Sequence, residues 1–207
     1  MKTETNIDWL RYENEAKADG FKIVCGIDEA GRGPLAGPVC AAAVILPDGC
    51  IIEGVNDSKK LTEKKREQLI DVIKSTAIAY TIATADEKEI DELNILQATY
   101  LAMKRAFDGL GIKPDIALVD GNRDPGLGVP TRTIIKGDAN SMSIAAASIL
   151  AKVTRDRFML EMDEKYPEYQ FAKHKGYGTK LHYEMLDKYG ASEIHRMTFL
   201  RKYYENK

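Results

Sequence analysis

A turn rich in glycine and proline, set between two apolar runs, constrains this chain more than any other feature. The turn occupies residues 31–38, and the apolar run before it ends on Asp28 and Glu29. β-branched and small apolar residues on both sides predict the two strands of a hairpin. Neighbouring side chains of a strand point to opposite faces, so the two carboxylates could share one cation only if the backbone bends at Glu29. The glycines that follow would permit such a bend.

Three interpretations of this turn are open. Carboxylates on one side, with exposed amides and Arg32 on the other, suit a metal ion that bridges to a phosphodiester. The spacing Gly31-x-Gly33-x-x-Ala36 also matches the dinucleotide-binding fingerprint, but the chain then enters a second apolar run instead of the helix that such a site needs. A solvated hairpin with surface acids is the third interpretation. Further carboxylates along the chain favour the first.

Composition limits the class of protein. A chain of 207 residues with 44% apolar content can bury a core as one domain with a small appendage. Residues 1–8 lack the apolar centre of a signal peptide, and no apolar run reaches membrane-spanning length, which predicts a cytoplasmic protein. Three cysteines without Cys-x-x-Cys spacing predict buried, reduced thiols and not disulfides or a zinc site.

Charge is distributed unevenly along the chain. The formal net charge is −2, yet residues 171–207 hold eight Lys and Arg against four Asp and Glu, so this segment carries +4 and the remainder −6. A basic segment opposite an acidic centre suits a metal-dependent nuclease, which attracts a nucleic-acid backbone towards carboxylates that hold cations. Basic side chains that merely solvate a helix explain the same count equally well.

Hydrophobic periodicity and capping residues predict an α/β chain with a mixed sheet. Strands are predicted in the hairpin of residues 21–46 and at residues 77–84, 116–120 and 131–136, with a brief extended piece at residues 51–55. Helices are predicted at residues 7–18, 62–74, 94–110, 142–164 and 180–189, with a short one from Asp86. The alanine- and serine-rich helix at residues 142–164 is expected to pack closely on the sheet.

Two further carboxylates are candidates for the site. Asp120 ends an apolar run that reads as a strand covered on both faces, and ligands of α/β sheets gather at the carboxyl ends of such strands. An ordinary Asp-Gly turn is the alternative. Asp138 precedes the long helix, where an acid also stabilises the helix dipole, so a structural role is equally open. Asp156, between two arginines, is expected to form ion pairs instead.

Candidate substrate contacts come from two polar segments. Lys59, ahead of a predicted helix, is either a phosphate contact or an ordinary surface lysine. Tyr177 lies between two glycines and beside several cations, which would free it to stack on a sugar or base; packing is the commoner role of a lone tyrosine. His174 is either a basic contact or a hydrogen-bonding residue of the loop. Without a second histidine nearby, it is a poor metal ligand.

Six motifs, in this order, resemble those of bacterial ribonuclease HII, and together they extend over most of the chain. They comprise residues 26–39, 57–61, 119–122, 136–138, 145–153 and 174–179. Membership of that family implies the ribonuclease H fold, an α/β fold with a mixed five-stranded sheet flanked by helices and a C-terminal helical extension. The resemblance divides the chain into a catalytic domain with its N-terminal helix (residues 1–165) and a substrate-binding loop and helical extension (residues 166–207).

The resemblance also implies roles for individual residues. The family's four acidic active-site positions are matched by Asp28, Glu29, Asp120 and Asp138. The first three of these match its metal ligands.

The expected substrate contacts follow from the same motifs. The triplet that reads the 2′-hydroxyl of a ribonucleotide is matched by Gly31, Arg32 and Gly33. Tyr177 matches the tyrosine that stacks on the sugar beside the cut, and Lys59 matches a lysine that contacts phosphate.

The activity that the resemblance implies is endonucleolytic. The bond cut is the phosphodiester 5′ to ribonucleotides, in RNA–DNA hybrids and at single ribonucleotides in duplex DNA, and the products carry a 3′-hydroxyl and a 5′-phosphate. Two Mg2+ or Mn2+ ions are the expected cofactors, since carboxylates offer the hard oxygen ligands that these ions prefer. The expected partners are those nucleic acids and not a membrane, and the protein is expected to be a monomer that serves ribonucleotide removal in replication and repair. The competing interpretation is a non-catalytic hybrid-binding module whose carboxylates form turns and caps.

Overall fold

A mixed five-stranded sheet occupies the centre of the protein, in a computed structural model that describes residues 7–205. The strands are β1 (Val24–Ala30), β2 (Val39–Ile45), β3 (Ala79–Ala85), β4 (Ile116–Asp120) and β5 (Thr131–Ile134). Their order across the sheet is β3-β2-β1-β4-β5. Strand β2 is antiparallel to β1 and β3, whereas β4 is parallel to β1 and β5. The predicted α/β fold with a mixed five-stranded sheet is confirmed.

Helices flank this sheet and continue beyond it. They are α1 (Arg11–Ala18), α2 (Glu63–Thr76), α3 (Glu87–Leu93), α4 (Ile95–Asp108), α5 (Met142–Lys165), α6 (Phe171–His174), α7 (Lys180–Tyr189) and α8 (Met197–Glu205). Thr62 and Asp86, at which two helices were predicted to start, are N-caps that each accept a hydrogen bond from a backbone amide of the first turn. In the part of the chain that the structure describes, no helix is both long and apolar enough to cross a membrane.

The long helix α5 packs directly on β1 because Gly26 has no side chain. A Cβ at Gly26 would lie 2.2 Å from the carbonyl carbon of Ser143 and 2.5 Å from the amide nitrogen of Ile144. Four alanines and two serines are among the fourteen buried residues of α5, in agreement with the close packing that the sequence predicted. This close approach brings the middle of α5 to the carboxyl end of β1, where the Ser148 hydroxyl reaches Asp28.

The opposite face of the sheet is covered by α4. Its buried positions are mostly small residues, namely Ala98, Thr99, Ala102 and Ala106, together with Met103 and Phe107. Among its larger side chains, Phe107 is buried, whereas Ile95, Tyr100 and Leu101 are only partly buried. Small side chains occupy the centre of the contact because they let the helix lie close to the sheet.

The segment that follows α5 packs on the glycine-rich turn. Leu35 and Ala36 of the turn belong to one apolar cluster with residues of α5, α7 and α8. The Leu35 amide donates to the Gly176 carbonyl, and the Gly37 amide donates to the Ile194 carbonyl, each at 2.8 Å. The division of the chain between residues 165 and 166 stays a prediction, and this cluster contains residues from both sides of it.

Two further local predictions differ from the structure. Residues 51–55, predicted as a brief extended piece, contain a turn, because the chain reverses at Gly54 and the Val55 amide donates to the Ile52 carbonyl at 3.2 Å. The first helix begins at Arg11 and not at residue 7, where Ile7 is 43% exposed. The prediction about a signal peptide rests on residues 1–8, of which the first six lie outside the described residues.

Two side-chain predictions agree with the structure. Asp156 pairs with Lys152 at 2.5 Å and with Arg66 at 3.6 Å, and it is buried between them. The three cysteines are free, two of them buried and Cys50 half-buried.

Candidate active site

Asp28 and Asp120 end up side by side because β1 and β4 are parallel neighbours. Ile27 pairs with Val119 in the register of these strands, so the next residue of each strand is one of the two acids. Side chains in register on adjacent parallel strands point to the same face and lie about 5 Å apart at the backbone. Two apolar strands that each end on a carboxylate therefore form one acidic edge of the sheet, as the sequence predicted for Asp120.

The Asp28 carboxyl is buried, with 3% of the residue exposed. Burial raises the pKa of Asp28 well above its usual range, and the charges of Glu29 and Asp120 raise this pKa further. The Ser148 hydroxyl and the Glu29 amide, the latter at 2.7 Å, donate hydrogen bonds to Asp28 and oppose that rise. The motif reasoning did not identify Ser148 as part of the site.

Glu29 does not show the backbone bend that the sequence analysis required. Pairing between β1 and β2 continues without interruption through Ala30, so Asp28 and Glu29 leave the strand on opposite faces. Glu29 lies near the strand end, where its long side chain still senses Asp120. Burial raises the pKa of Glu29, Asp120 adds to the rise, and Arg32, whose Nη1 is 3.5 Å from Oε1, opposes it. Glu29 therefore borders the acidic edge from the side of the turn.

Asp138 closes the acidic edge from the other side. It lies in a short 3-10 turn, Gly137–Ala139, directly before α5. The adjacent Gly137 amide donates to Oδ1 of Asp120 at 2.6 Å, which ties this turn to the end of β4. Burial raises the pKa of Asp138, and the charges of Asp120 and Asp57 raise it further. The Nζ of Lys59 lies 3.8 Å from Oδ2 of Asp138, on a side chain that is otherwise exposed.

These four carboxylates fit a hard divalent cation in donor chemistry and in charge. All are oxygen ligands, and three of them have raised pKa values because burial and mutual repulsion disfavour their charged forms. A cation would relieve that repulsion. Within residues 7–205, no three acidic, histidine or cysteine side chains already form a metal-binding group, so the acidic edge is a cluster of charge and not a finished coordination shell.

The glycine-rich turn and Tyr177 lie next to each other beside the acidic edge. A Cβ on Gly33 would be 3.7 Å from Cε1 of the Tyr177 ring. Tyr177 is 44% exposed, as its flanking glycines predicted, and the guanidinium carbon of Arg155 lies 5.9 Å from its ring centroid. Arg32 between the two glycines keeps half of its side chain exposed. Gly33 and Tyr177, two of the expected substrate contacts, are thus neighbours in space, although their sequence separation is large.

His174 belongs to a buried group of three histidines, so the sequence-based statement that no second histidine lies nearby is wrong. The rings of His174 and His182 stack at 4.4 Å, and Nε2 of His182 is 2.9 Å from Nε2 of His195. The chain separates these residues by a turn and a helix, so their sequence spacing gave no signal. The two facing nitrogens share one hydrogen bond, which leaves no room for a metal between them.

The hydrogen bonds of this histidine group are satisfied when all three rings are neutral. Nε2 of His174 and Nδ1 of His182 face the carbonyls of Tyr169 and Tyr177 at 3.0 Å, so both nitrogens must carry a proton. The other nitrogen of each histidine accepts: that of His174 from the Gly176 amide and that of His182 from His195 Nε2. Nδ1 of His195 likewise accepts from the Ser192 amide at 2.9 Å. A further proton on His174 or His182 would face an N–H donor, whereas one on Nδ1 of His195 would have only the Ser192 hydroxyl, at 2.8 Å, as an acceptor.

Acid is therefore expected to destabilise the segment that carries Tyr177. Burial lowers the pKa of His182 and of His195 to about 4, so the unfolded chain binds more protons than the folded one between that value and about 6.5. The free energy of unfolding should fall as the pH drops through this window. Relative to neutral pH, one such histidine should lower it by about 2 kcal/mol at pH 5. Urea unfolding at pH 7.5 and pH 5 measures the loss.

The variant His195→Gln is the control, because glutamine keeps a donor for His182 but does not titrate. Its unfolding free energy should change less between pH 7.5 and pH 5 than that of the wild type. The carboxylates with raised pKa values stabilise the folded protein as the pH falls, which is the opposite effect. Because both proteins contain these carboxylates, their contribution cancels in the comparison. Parallel pH profiles of the two proteins would contradict the assignment.

Comparison with known proteins identifies relatives over nearly the whole chain. The sequence profile of the family described as Ribonuclease HII matches residues 25–202. Ribonuclease HII of Caldicellulosiruptor bescii is 57% identical over 201 residues, covering 97% of this chain and 98% of the relative. Ribonuclease HII of Clostridioides difficile is 56% identical over 97% of this chain and 79% of its own length. The solved ribonuclease H2 of Pyrococcus horikoshii superposes with a TM-score of 0.75 at 31% identity, covering 89% of this chain and 98% of that chain.

Proposed function

This chain belongs to the ribonuclease HII family and is an endoribonuclease of ribonuclease H type 2, and we propose that its substrates are ribonucleotides paired with or embedded in DNA. The bond hydrolysed is the phosphodiester on the 5′ side of the ribonucleotide, in RNA–DNA hybrids and at single ribonucleotides in duplex DNA. The products carry a 3′-hydroxyl and a 5′-phosphate. In the cell, this activity removes ribonucleotides during DNA replication and repair.

One observation supports this proposal above the others. Asp28 and Asp120 lie together at the ends of adjacent parallel strands, beside a turn that exposes backbone to a ligand. The carboxylates that would hold the cations and the turn that would contact the sugar thus lie at the same edge of the sheet. A hybrid-binding module without catalysis would have no need to bury mutually repelling carboxylates there.

The roles of the acidic residues follow from their positions. Asp28, Glu29 and Asp120 would hold Mg2+ or Mn2+. Although Glu29 leaves β1 on the opposite face from Asp28, its longer side chain would reach the ions from the strand end, where it already senses the charge of Asp120. Asp138 would complete the catalytic group from the side of α5. Bound there, two such ions would activate a water and stabilise charge on the leaving 3′-oxygen. Ser148 orients Asp28 through its hydroxyl.

The substrate would be held by groups on both sides of the acidic edge. Lys59 contacts a phosphate, since its ammonium is exposed on one side and faces Asp138 on the other. Gly31, Arg32 and Gly33 read the 2′-hydroxyl, the one group that distinguishes ribose from deoxyribose. The same proposal makes the protein a cytoplasmic monomer. Its three free thiols, two of them buried, support the cytoplasmic location, because disulfides are rare in that compartment.

A duplex DNA that carries one ribonucleotide in one strand tests this function. Incubation with Mg2+ or Mn2+ should nick that strand on the 5′ side of the ribonucleotide, and EDTA should stop the reaction. Denaturing electrophoresis of a labelled strand reads the position of the cut, and end-group analysis reads the 3′-hydroxyl. Binding of the same duplex without any cut would favour the non-catalytic hybrid-binding module instead.

Replacing Tyr177 with alanine is expected to reduce cleavage at a ribonucleotide–DNA junction more than it reduces duplex affinity. The exposed ring lies against Gly33 and supplies a stacking surface worth about 1–3 kcal/mol, so cleavage should fall roughly tenfold to a hundredfold. Single-turnover cleavage and fluorescence anisotropy measure the two quantities. Tyr177→Phe, which keeps the ring, is the control and should stay near wild type. Equal losses in cleavage and affinity would contradict a stacking role at the junction.

A further inference from the structure

Two buried arginines lie behind the glycine-rich turn. Arg155 of α5 is 1% exposed, and Arg196, directly before α8, is fully buried. Every recorded hydrogen bond of the two guanidiniums goes to a main-chain carbonyl. Burying a charge costs several kcal/mol unless its donors are satisfied. Here five of the acceptors are carbonyls of one short turn, which suggests that the two arginines serve the conformation of that turn.

The carbonyls divide between the two guanidiniums along the turn. Arg196 donates to those of Gly31, Arg32 and Gly37, at 2.6, 2.9 and 2.9 Å. Arg155 donates to those of Ala36 and Pro38, at 3.1 and 3.0 Å, and its third bond, at 3.0 Å, reaches Lys175 in the segment that carries Tyr177. The turn is therefore folded around two cations, with its carbonyls pointing inwards.

Inward carbonyls have a geometric consequence for the amides of the turn. The C=O of one residue and the N–H of the next belong to the same planar trans peptide and point in opposite directions. Because Arg196 holds the carbonyls of Gly31 and Arg32, the N–H groups of Arg32 and Gly33 point away from it. Neither amide donates a recorded hydrogen bond within the described residues, whereas the amides of Leu35 and Gly37 do.

We propose that Arg196 is a positioning residue that sets the preference for ribose, because it turns the Arg32 and Gly33 amides towards the substrate. Arg155 fixes the far end of the turn and links it to the segment of Tyr177. Adjacent free amides in a concave turn bind hydroxyl and phosphate oxygens. This inference rests on the proposed function, in which the same triplet reads the 2′-hydroxyl.

The variant Arg196→Lys separates positioning from simple structural support. Lysine keeps the charge, but its ammonium is too compact to bond three carbonyls in the fixed fork that guanidinium provides. Affinity is measured for two duplexes that differ only in one ribonucleotide, in an Asp120→Asn background that suppresses cleavage. The ratio of the two affinities should fall about tenfold, while binding of the all-DNA duplex changes less than about twofold.

The control is Arg105→Lys, which replaces a guanidinium that also donates to a backbone carbonyl, that of Thr84, but lies outside the turn. It should leave the ratio unchanged. Should Arg196→Lys fail to fold, Gly33→Pro asks the same question, because it deletes one outward N–H without touching either guanidinium. A folded Arg196→Lys or Gly33→Pro protein with the full wild-type ratio, or with equal loss for both duplexes, would overturn the positioning role.

The outcome for the wild type separates this inference from the proposed function. If the wild-type protein neither nicks nor prefers the ribonucleotide-containing duplex, both the proposed function and the role of Arg196 are wrong. If the wild type nicks and discriminates, and the Arg196→Lys variant discriminates equally well, only the role of Arg196 is wrong.

Discussion

Replacing Asp120 with asparagine should abolish cleavage while leaving the fold intact. The carboxylate lies in register beside Asp28, and without its charge the acidic edge should no longer hold divalent ions, so turnover should fall at least about a thousandfold. The amide oxygen of asparagine can still accept the hydrogen bond from Gly137, and the change removes repulsion against Asp28. Melting without metal should therefore equal or slightly exceed that of the wild type.

Two measurements make this prediction specific. Added Mg2+ or Mn2+ should raise the melting temperature of the wild type, because ligands that bind the folded state stabilise it, and this rise should be smaller in Asp120→Asn. Asp115→Asn is the matched control, since it makes the same change just before β4, where Asp115 accepts hydrogen bonds from the Lys22 and Ile23 amides. That variant should cleave normally. Substantial activity in Asp120→Asn would remove this residue from the site.

Replacing Gly31 with alanine should cost both stability and cleavage. Its φ of +95° is unfavourable for alanine, and the added Cβ would lie 2.0 Å from Nε and 2.3 Å from Cδ of Arg155. Displacing that buried guanidinium leaves carbonyls of the turn unsatisfied, so we expect a loss of about 2–4 kcal/mol. Calorimetry should show a melting temperature lower by roughly 5–15 °C, and cleavage at a single ribonucleotide should fall at least about tenfold.

Two other glycines separate the causes of this loss. Gly126 has a φ of +76° with no atom within 4 Å of the Cβ position, so Gly126→Ala measures the backbone cost alone. Gly33→Ala adds a Cβ at ordinary contact distance from Tyr177 and should fold like the wild type. If Gly31→Ala melted no lower than Gly126→Ala, the contact with Arg155 would carry no energetic weight.

The acidic edge could be predicted from sequence because its parts are local. A run of apolar residues that ends on a carboxylate identifies both a strand and the end at which its acid lies, and this holds for Asp28 and for Asp120. Local signals likewise predicted that helices start at Thr62 and Asp86, whose capping hydrogen bonds reach only into the next turn. The metal-binding and catalytic roles of these acids stay predictions.

The support behind the site could not be predicted, because it depends on contacts between distant segments. In the sequence, Arg155 looked like one of two ordinary charged neighbours of Asp156. It follows Ser148 by seven residues, a spacing that puts both side chains on the same face of α5, and this spacing was the only, weak, signal that the two residues are buried. Arg196 counted as part of a basic surface, yet it is fully buried. Its partners are main-chain carbonyls, which no pattern of side chains reveals.

Arg196 and the carbonyls that it binds are far apart in sequence, which affects the order in which the protein can fold during synthesis. The Gly31 carbonyl is held by a side chain 165 positions later. A nascent chain that has left the ribosome only as far as α5 contains all four acids and Arg155, but it lacks the second cation around which the turn folds. The first residues of the turn would therefore reach their final conformation only after Arg196 has been synthesised, later than the segments that supply the acids.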